Sequence, residues 1–200
     1  MLSQVEIKDW LQTRLSEKRF SHSLGVAQEA ERLAKHYGAD PQKAYLAGLV
    51  HDCAKEVSKD ETMVQLSAFD IVPDVAAAAA PWLLHGTLGA CVAKQEFGIE
   101  DEEILDAIRY HTTGKADMSL LARIIFIADF IEPGRTYPDV AMLREMTYQN
   151  LEEAMLFGID YTIELLVKKK MIIHPDTIHC RNDLMIELTA KGKQGIMHEN

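Results

Sequence analysis

Four imidazoles and two carboxylates follow one another along this chain in the order His22, His51, Asp52, His85, His111 and Asp129. Imidazole and carboxylate are the ligands that hold divalent transition metals. Each of the six stands at or near the end of an expected helix, so a helical fold could turn them all into one cavity. Two ions held about 3.5–4 Å apart lower the pKa of a shared water and clamp phosphoryl oxygens in an in-line displacement. The pattern points to a two-metal phosphohydrolase.

Taken singly, each residue has a plainer reading. Asp129 lies in the apolar run Ile124 to Ile131, where an unpaired carboxylate would cost many kcal/mol; a salt bridge to Arg123 or Arg135 would serve as well as a metal. His51-Asp52 is a common dipeptide, and its two members could cap a helix and pair with Lys55. His22 reads alone as a helix-start histidine, and His85 and His111 as capping or core histidines. Their joint order and placement raise the six above these separate readings. His36, His174, His179 and His198 are left unassigned.

Other side chains fall where a phosphate would need them. Lys55 follows His51 by four residues and should share its face, reaching a phosphate or the nucleophile unless it pairs with Asp52 or Glu56. Arg135 follows the Asp129 helix in a Pro-Gly loop and can grip phosphate bidentately; a pair with Glu132 is the alternative. Thr112, Thr113 and Gly114 offer hydroxyls and a backbone N–H, or simply end a helix. HExxH, Glu-x-x-His, P-loop, GxGxxG and G-x-S-x-G patterns are all absent, which argues against zincin, ferritin-like, nucleotide-loop and serine-hydrolase sites.

The elements that must position these residues read as helices throughout. Val26, Ala27, Ala30, Leu33, Ala34 and Tyr37 recur at spacings of three and four, and Gly38 closes that helix. Asp40-Pro41 opens the next, which ends near His51-Asp52. Ser58 and Glu61 form the pattern of a capping box. Ala76 to Ala80 is helix-prone but stops at Pro81. A helix from about Leu84 ends before Gly98, and another runs from about Asp101 to His111. Ser119 to Ile131 is apolar almost all round, hence central and buried, and ends at Pro133-Gly134. Two or three more helices occupy Asp139 to Leu188, one of them starting near His174 with Asp176 or Thr177 as cap. Residues 191–200 are polar, with two glycines, and are expected to fray.

The expectation is an all-α single domain of 200 residues, with its metal-site core over about 19–137 and C-terminal helices over about 139–190. A hydrophobic fraction of 48% is ordinary for a globular chain. The net charge of −10 argues against binding DNA or RNA. Cys53, Cys91 and Cys180 are too widely spaced for a disulfide framework or zinc ribbon. The start of the chain is too polar for a signal peptide. The stretch from Leu120 to Ile131 is too short to span a membrane. The cytoplasm is the expected compartment.

The order H…HD…D resembles the HD-domain metal-dependent phosphohydrolases, and the two further histidines resemble the subset that carries two metals. The local strings resemble the bacterial YqeK-type symmetrical bis(5′-nucleosyl)-tetraphosphatases. They are Arg19 to Ser23, Leu49 to Lys55, Leu84-His85-Gly86, Ala107 to Gly114, and Ile127 to Arg135. The resemblance implies an HD-type helical bundle around a central buried metal site. His22, His51, Asp52 and Asp129 would hold one ion. Asp52, His85 and His111 would hold the other, with Asp52 bridging. It also implies iron at both positions, where the residues alone suit iron, manganese or zinc. The implied reaction is cleavage of diadenosine tetraphosphate into two ADP by a hydroxide bridging the metals, and a homodimer is compatible. Other HD substrates (nucleoside monophosphates, dNTPs, cyclic nucleotides, guanosine tetraphosphate) and a non-catalytic nucleotide or metal sensor stay open.

Overall fold

A computed structural model describes the backbone of residues 1–198 and the side chains of residues 1–191. Among these residues the regular structure is helical, with no strand. The helices are α1 (Gln4–Arg14), α2 (Glu17–Tyr37), α3 (Pro41–Val50), α4 (Lys59–Ala68), α5 (Val75–Ala79), α6 (Leu84–Phe97), α7 (Glu102–Tyr110), α8 (Leu120–Ile131), α9 (Val140–Gln149), α10 (Leu151–Lys168) and α11 (Pro175–His198). A 3-10 turn, Pro81–Leu83, leads into α6. No described helix is long and apolar enough to cross a membrane.

Local chemistry sets most of the boundaries. Gly38 and Gly98 end α2 and α6 in the left-handed conformation. The Asp40 carboxylate accepts from the amides of Gln42 and Lys43, with Pro41 in the first turn. Ser119 caps α8 by accepting from Ala122 N–H. At α4 half of the expected box forms. Ser58 accepts from Glu61 N–H, but the Glu61 carboxylate takes the amide of Gln65 on the next turn instead.

The core is organised around α8. Leu121, Ala122, Ile124 to Ala128 and Ile131 are all buried, and the helix packs against α2, α3, α7, α9 and α10. Each buried Leu, Ile or Phe among them contributes about 1.5–3 kcal/mol, so α8 is a fixed post on which Asp129 is mounted. A second, smaller cluster of Ala54, Leu66, Ala77, Leu84 and Leu88 joins α4 to α6 and holds the stretch that carries His85.

The structure adds detail at both ends of the chain. α1 has a complete capping box between Ser3 and Glu6 and buries only Ile7 and Leu11, too narrow a stripe for periodicity to reveal. The cap of α11 is His174, whose Nδ1 accepts from Asp176 N–H at 3.2 Å, rather than Asp176 or Thr177. The described backbone of α11 runs to His198, and Lys191 pairs with Glu187 one turn back. Residues 199 and 200 lie outside those described.

Candidate metal centre

The six residues come from five separate elements and meet. His22 projects from the second turn of α2, one turn further inside its helix than expected. His51 is the C-cap of α3, and Asp52 follows it. His85 begins α6, His111 is the C-cap of α7, and Asp129 lies near the end of α8. His51, Asp52, His85 and His111 are buried; the Asp129 side chain keeps 21% exposure and gives the cluster an open edge.

Close helix packing brings two of these histidines together. Gly86 lies against α7 so tightly that a Cβ there would sit 2.6 Å from the Arg109 carbonyl oxygen. The consequence is a separation of 3.0 Å between His85 Nε2 and His111 Nε2.

All four imidazoles present the same nitrogen to the centre. The Nδ1 atoms of His51, His85 and His111 each lie 2.7 Å from the carbonyl of the residue three before, namely Gly48, Trp82 and Ile108. His22 Nδ1 lies 3.1 Å from Glu132 Oε1. An Nδ1–H donated outward leaves the Nε2 lone pair pointing inward, the tautomer a metal ligand requires. Burial lowers His51 and His85 from 6.5 to about 4, so both rings are neutral at neutral pH.

Asp52 stands between the histidines with its two oxygens turned to different partners. Oδ1 lies 3.2 Å from His85 Nε2 and 3.4 Å from His111 Nε2. Oδ2 lies 3.5 Å from His51 Nε2 and 3.8 Å from His22 Nε2. Burial alone would raise this carboxyl, yet the surrounding His51, His111 and His85 lower it well below its ordinary value. Asp129 Oδ1 lies 3.0 Å from His22 Nε2. Burial would raise Asp129 too, and the contact with His22, then His51 and Arg135, holds it well below the usual carboxylate range.

The donor set fits a cation. Ligand atoms of His22, His51 and Asp129 lie within 4.8 Å of one another, as do those of His51, Asp52 and His111. His22 Nε2, His51 Nε2 and Asp52 Oδ1 are buried with no hydrogen-bond partner. Orphaned acceptors of this kind cost free energy, and cations bound on the two sides of Asp52 would satisfy them.

The other expected site residues divide. Lys55 Nζ lies 3.0 Å from His85 Nε2, not against Asp52 or Glu56; burial lowers its pKa. Thr112 Oγ1 lies 3.2 Å from His85 Nε2 and 3.0 Å from His111 Nε2. Thr113 and Gly114 do not join them. The Thr113 hydroxyl donates to the Gly114 carbonyl, the Gly114 amide donates to the Tyr110 carbonyl, and Gly114 packs on Cys180. Their polar groups are used to close α7. Arg135 pairs with Asp129, the plainer partner weighed for that carboxylate, and its Nε donates to the Asp129 carbonyl; Arg123 pairs instead with Glu152 and Glu187.

Two residues of the centre escaped the sequence reading. Arg19 donates to Asp52 Oδ2 at 2.7 Å, so each carboxylate of the centre has its own arginine. Arg19 precedes His22 by three residues, and that spacing on one helix face was the available signal. Glu132 is buried and accepts from Gly134 N–H at 2.6 Å while backing His22. Gly25, one turn beyond His22, makes room for it, since a Cβ there would meet Glu132 Oε2 at 2.6 Å.

A model of the HD domain matches residues 19–134, the stretch that contains all six converging residues. The chain belongs to the HD family. A relative from Halalkalibacterium halodurans named "Bis(5'-nucleosyl)-tetraphosphatase, symmetrical" is 45% identical over 177 residues, covering 86% of this chain and 92% of that one. One of the same name from Bacillus subtilis is 39% identical, covering 92% and 98%. A crystal structure from Clostridium acetobutylicum, described as a "predicted HD superfamily hydrolase involved in NAD metabolism", superposes with a TM-score of 0.92 at 42% identity, over 94% of this chain and 99% of that one. The HD match ends just before Arg135. A cavity of about 630 Å³ between α1, α4 and α6 touches none of the six residues.

Proposed function

We propose that this HD protein hydrolyses dinucleoside tetraphosphates symmetrically, diadenosine tetraphosphate giving two ADP. The observation that carries the reading is the split of the Asp52 carboxylate, one oxygen facing His85 and His111 and the other facing His51 and His22. A carboxylate so placed suits two ions rather than one. His22, His51, Asp52 and Asp129 would hold the first, and Asp52, His85 and His111 the second. When bound, the ions would supply Lewis acidity toward phosphoryl oxygens and a water of lowered pKa.

The chain's own groups have separable tasks. The outward Nδ1 bonds fix the rings before any ligand arrives, so little reorganisation is required at the reaction. Lys55, Thr112 and Arg135 stand beside the ligands, where they would meet phosphate oxygens. The leaving group of a central cut is a nucleoside diphosphate, a stable anion, so a strong general acid is not needed. The names of the relatives support this substrate class. The same reading takes iron as the metal, ahead of manganese and zinc, and the cytoplasm and a homodimer as setting and assembly, each from the resemblance in sequence.

The test is a product analysis. Reduced protein loaded with ferrous iron is incubated with diadenosine tetraphosphate, and the nucleotides are separated by chromatography. ADP as sole product, lost on chelation, is the expected result. AMP plus ATP would reject the central cut. Absence of turnover with tight ADP binding would favour the sensor reading.

A further inference from the structure

Resting on that reading, we infer that Trp82 divides two nucleoside sites, one for each half of the substrate, and stacks a nucleobase in each. Two separate cavities lead toward the centre, one reaching His85 and the other Thr112 beside it. One, of about 540 Å³, is lined by Lys55, Lys59, Trp82 and His85. The other, of about 250 Å³, is lined by Trp82, Thr112, Leu166 and Lys169. Trp82 belongs to both, and 47% of its surface is exposed.

The inner ends of the two clefts converge on a single atom. Lys55 Nζ and Thr112 Oγ1 approach His85 Nε2 from different clefts, at 3.0 and 3.2 Å. A phosphate chain entering by one cleft and leaving by the other therefore crosses the metal centre at its middle, which is where a symmetrical cut must fall. The larger cleft carries a second lysine, Lys59, and the smaller carries Lys169. Such cations suit the outer phosphates of a nucleoside diphosphate. Between the clefts stands an indole, whose flat surface accepts any base without reading its edges.

Trp82 is coupled to the centre through its backbone, because its carbonyl accepts from His85 Nδ1 at 2.7 Å. A side-chain substitution leaves that carbonyl in place, so stacking can be removed without disturbing the histidine. The two cavities differ in volume, and the smaller is mainly apolar in its lining side chains, so the two halves of the substrate need not bind with equal strength.

The experiment is calorimetry of ADP with iron-loaded protein, wild type against Trp82→Leu, together with emission in a Trp10→Phe background, where Trp82 is the only tryptophan. The expected results are two ADP per chain, a saturable quench by ADP that inorganic pyrophosphate does not reproduce, and affinity about 10- to 100-fold weaker in Trp82→Leu with iron content unchanged. One ADP per chain, or wild-type affinity in Trp82→Leu, overturns the inference. If Trp10→Phe does not fold, the calorimetric comparison decides alone. Cleavage to ADP with a wild-type KM in Trp82→Leu would remove the clefts and keep the proposed reaction. Two quenching ADP sites without any cleavage would do the reverse.

Discussion

Glu132 Oε1 lies 3.1 Å from His22 Nδ1, although the two residues are 110 apart in sequence. The other three imidazoles are oriented by neutral backbone carbonyls within their own helix turns. His22 alone is backed by a carboxylate from a distant element. That makes its orientation the one most dependent on tertiary structure.

Removing this support should weaken metal binding without unfolding the protein. Glu132→Ala is expected to lower iron affinity by about 10- to 100-fold while far-UV circular dichroism stays unchanged. Glu132→Gln, which can still accept from N–H, should lose less. Gly25→Ala should resemble Glu132→Ala, because its Cβ would occupy the space of Glu132 Oε2. Metal titration of the three variants checks the order; equal affinities throughout would show that His22 needs no carboxylate.

The Asp52 geometry makes a different prediction. Its oxygens serve both halves of the centre, so Asp52→Ala should lose all retained metal and all turnover. Asp129→Ala should abolish turnover as well, but it leaves His85, His111 and Asp52 in place. Elemental analysis after dialysis distinguishes them. Full metal retention in Asp52→Ala would exclude a shared carboxylate.

Lys55 and the ligands should separate in the same assay. Lys55 touches His85 Nε2 yet can leave without removing a ligand, so Lys55→Ala should keep wild-type metal content. Its turnover should fall by about 100-fold or more, the loss typical of a charge donor to a developing anion. Loss of metal along with turnover would give Lys55 a structural task instead.

How much of this was legible in the sequence depended on where each partner lies. Helix limits at Gly38, Pro41, Gly98 and Pro133 follow from local backbone chemistry, and the structure places them where the sequence did. The convergence of the six residues from five elements needed only their types and order. Arg19 and Glu132 act on residues 33 and 110 positions away, and no local pattern encodes such a meeting. Thr113 and Gly114 stand apart for the opposite reason. Their neighbourhood suggested phosphate donors, but the helix end consumed those donors itself. The pair of Asp129 with Arg135 shows that the plainer reading and the metal reading were compatible: the arginine shares the carboxylate with His22.

The buried histidines fix how the metal-free protein responds to acid. His51 and His85 titrate near 4 in the native state and near 6.5 unfolded. Between those values the unfolded chain binds protons that the native one refuses, so stability falls as pH is lowered through this window. Each histidine contributes up to about a tenfold change in the unfolding constant per pH unit. Asp52 and Asp129 are held below their ordinary value of 3.8 and contribute only in stronger acid. Urea midpoints of chelated protein should therefore drop from pH 6.5 to 5 and stay level from 6.5 to 8. A midpoint constant down to pH 5 would contradict the burial of these rings.

The close approach at Gly86 offers the most selective test of the two-ion reading. An alanine Cβ would lie 2.6 Å from the Arg109 carbonyl and 3.2 Å from that of Ile108, both backbone atoms that cannot rotate away. α6 and α7 must then part, at a cost of about 1–3 kcal/mol, and His85 must withdraw from His111. His22, His51 and Asp129 belong to other elements and keep their places. Gly86→Ala is expected to fold with a lowered Tm, to bind one ion per chain in place of two, and to lose turnover. Metal stoichiometry and a thermal melt on the same sample check it. Two ions retained at a lowered Tm would mean that the His85 and His111 pair is not the second ligand set.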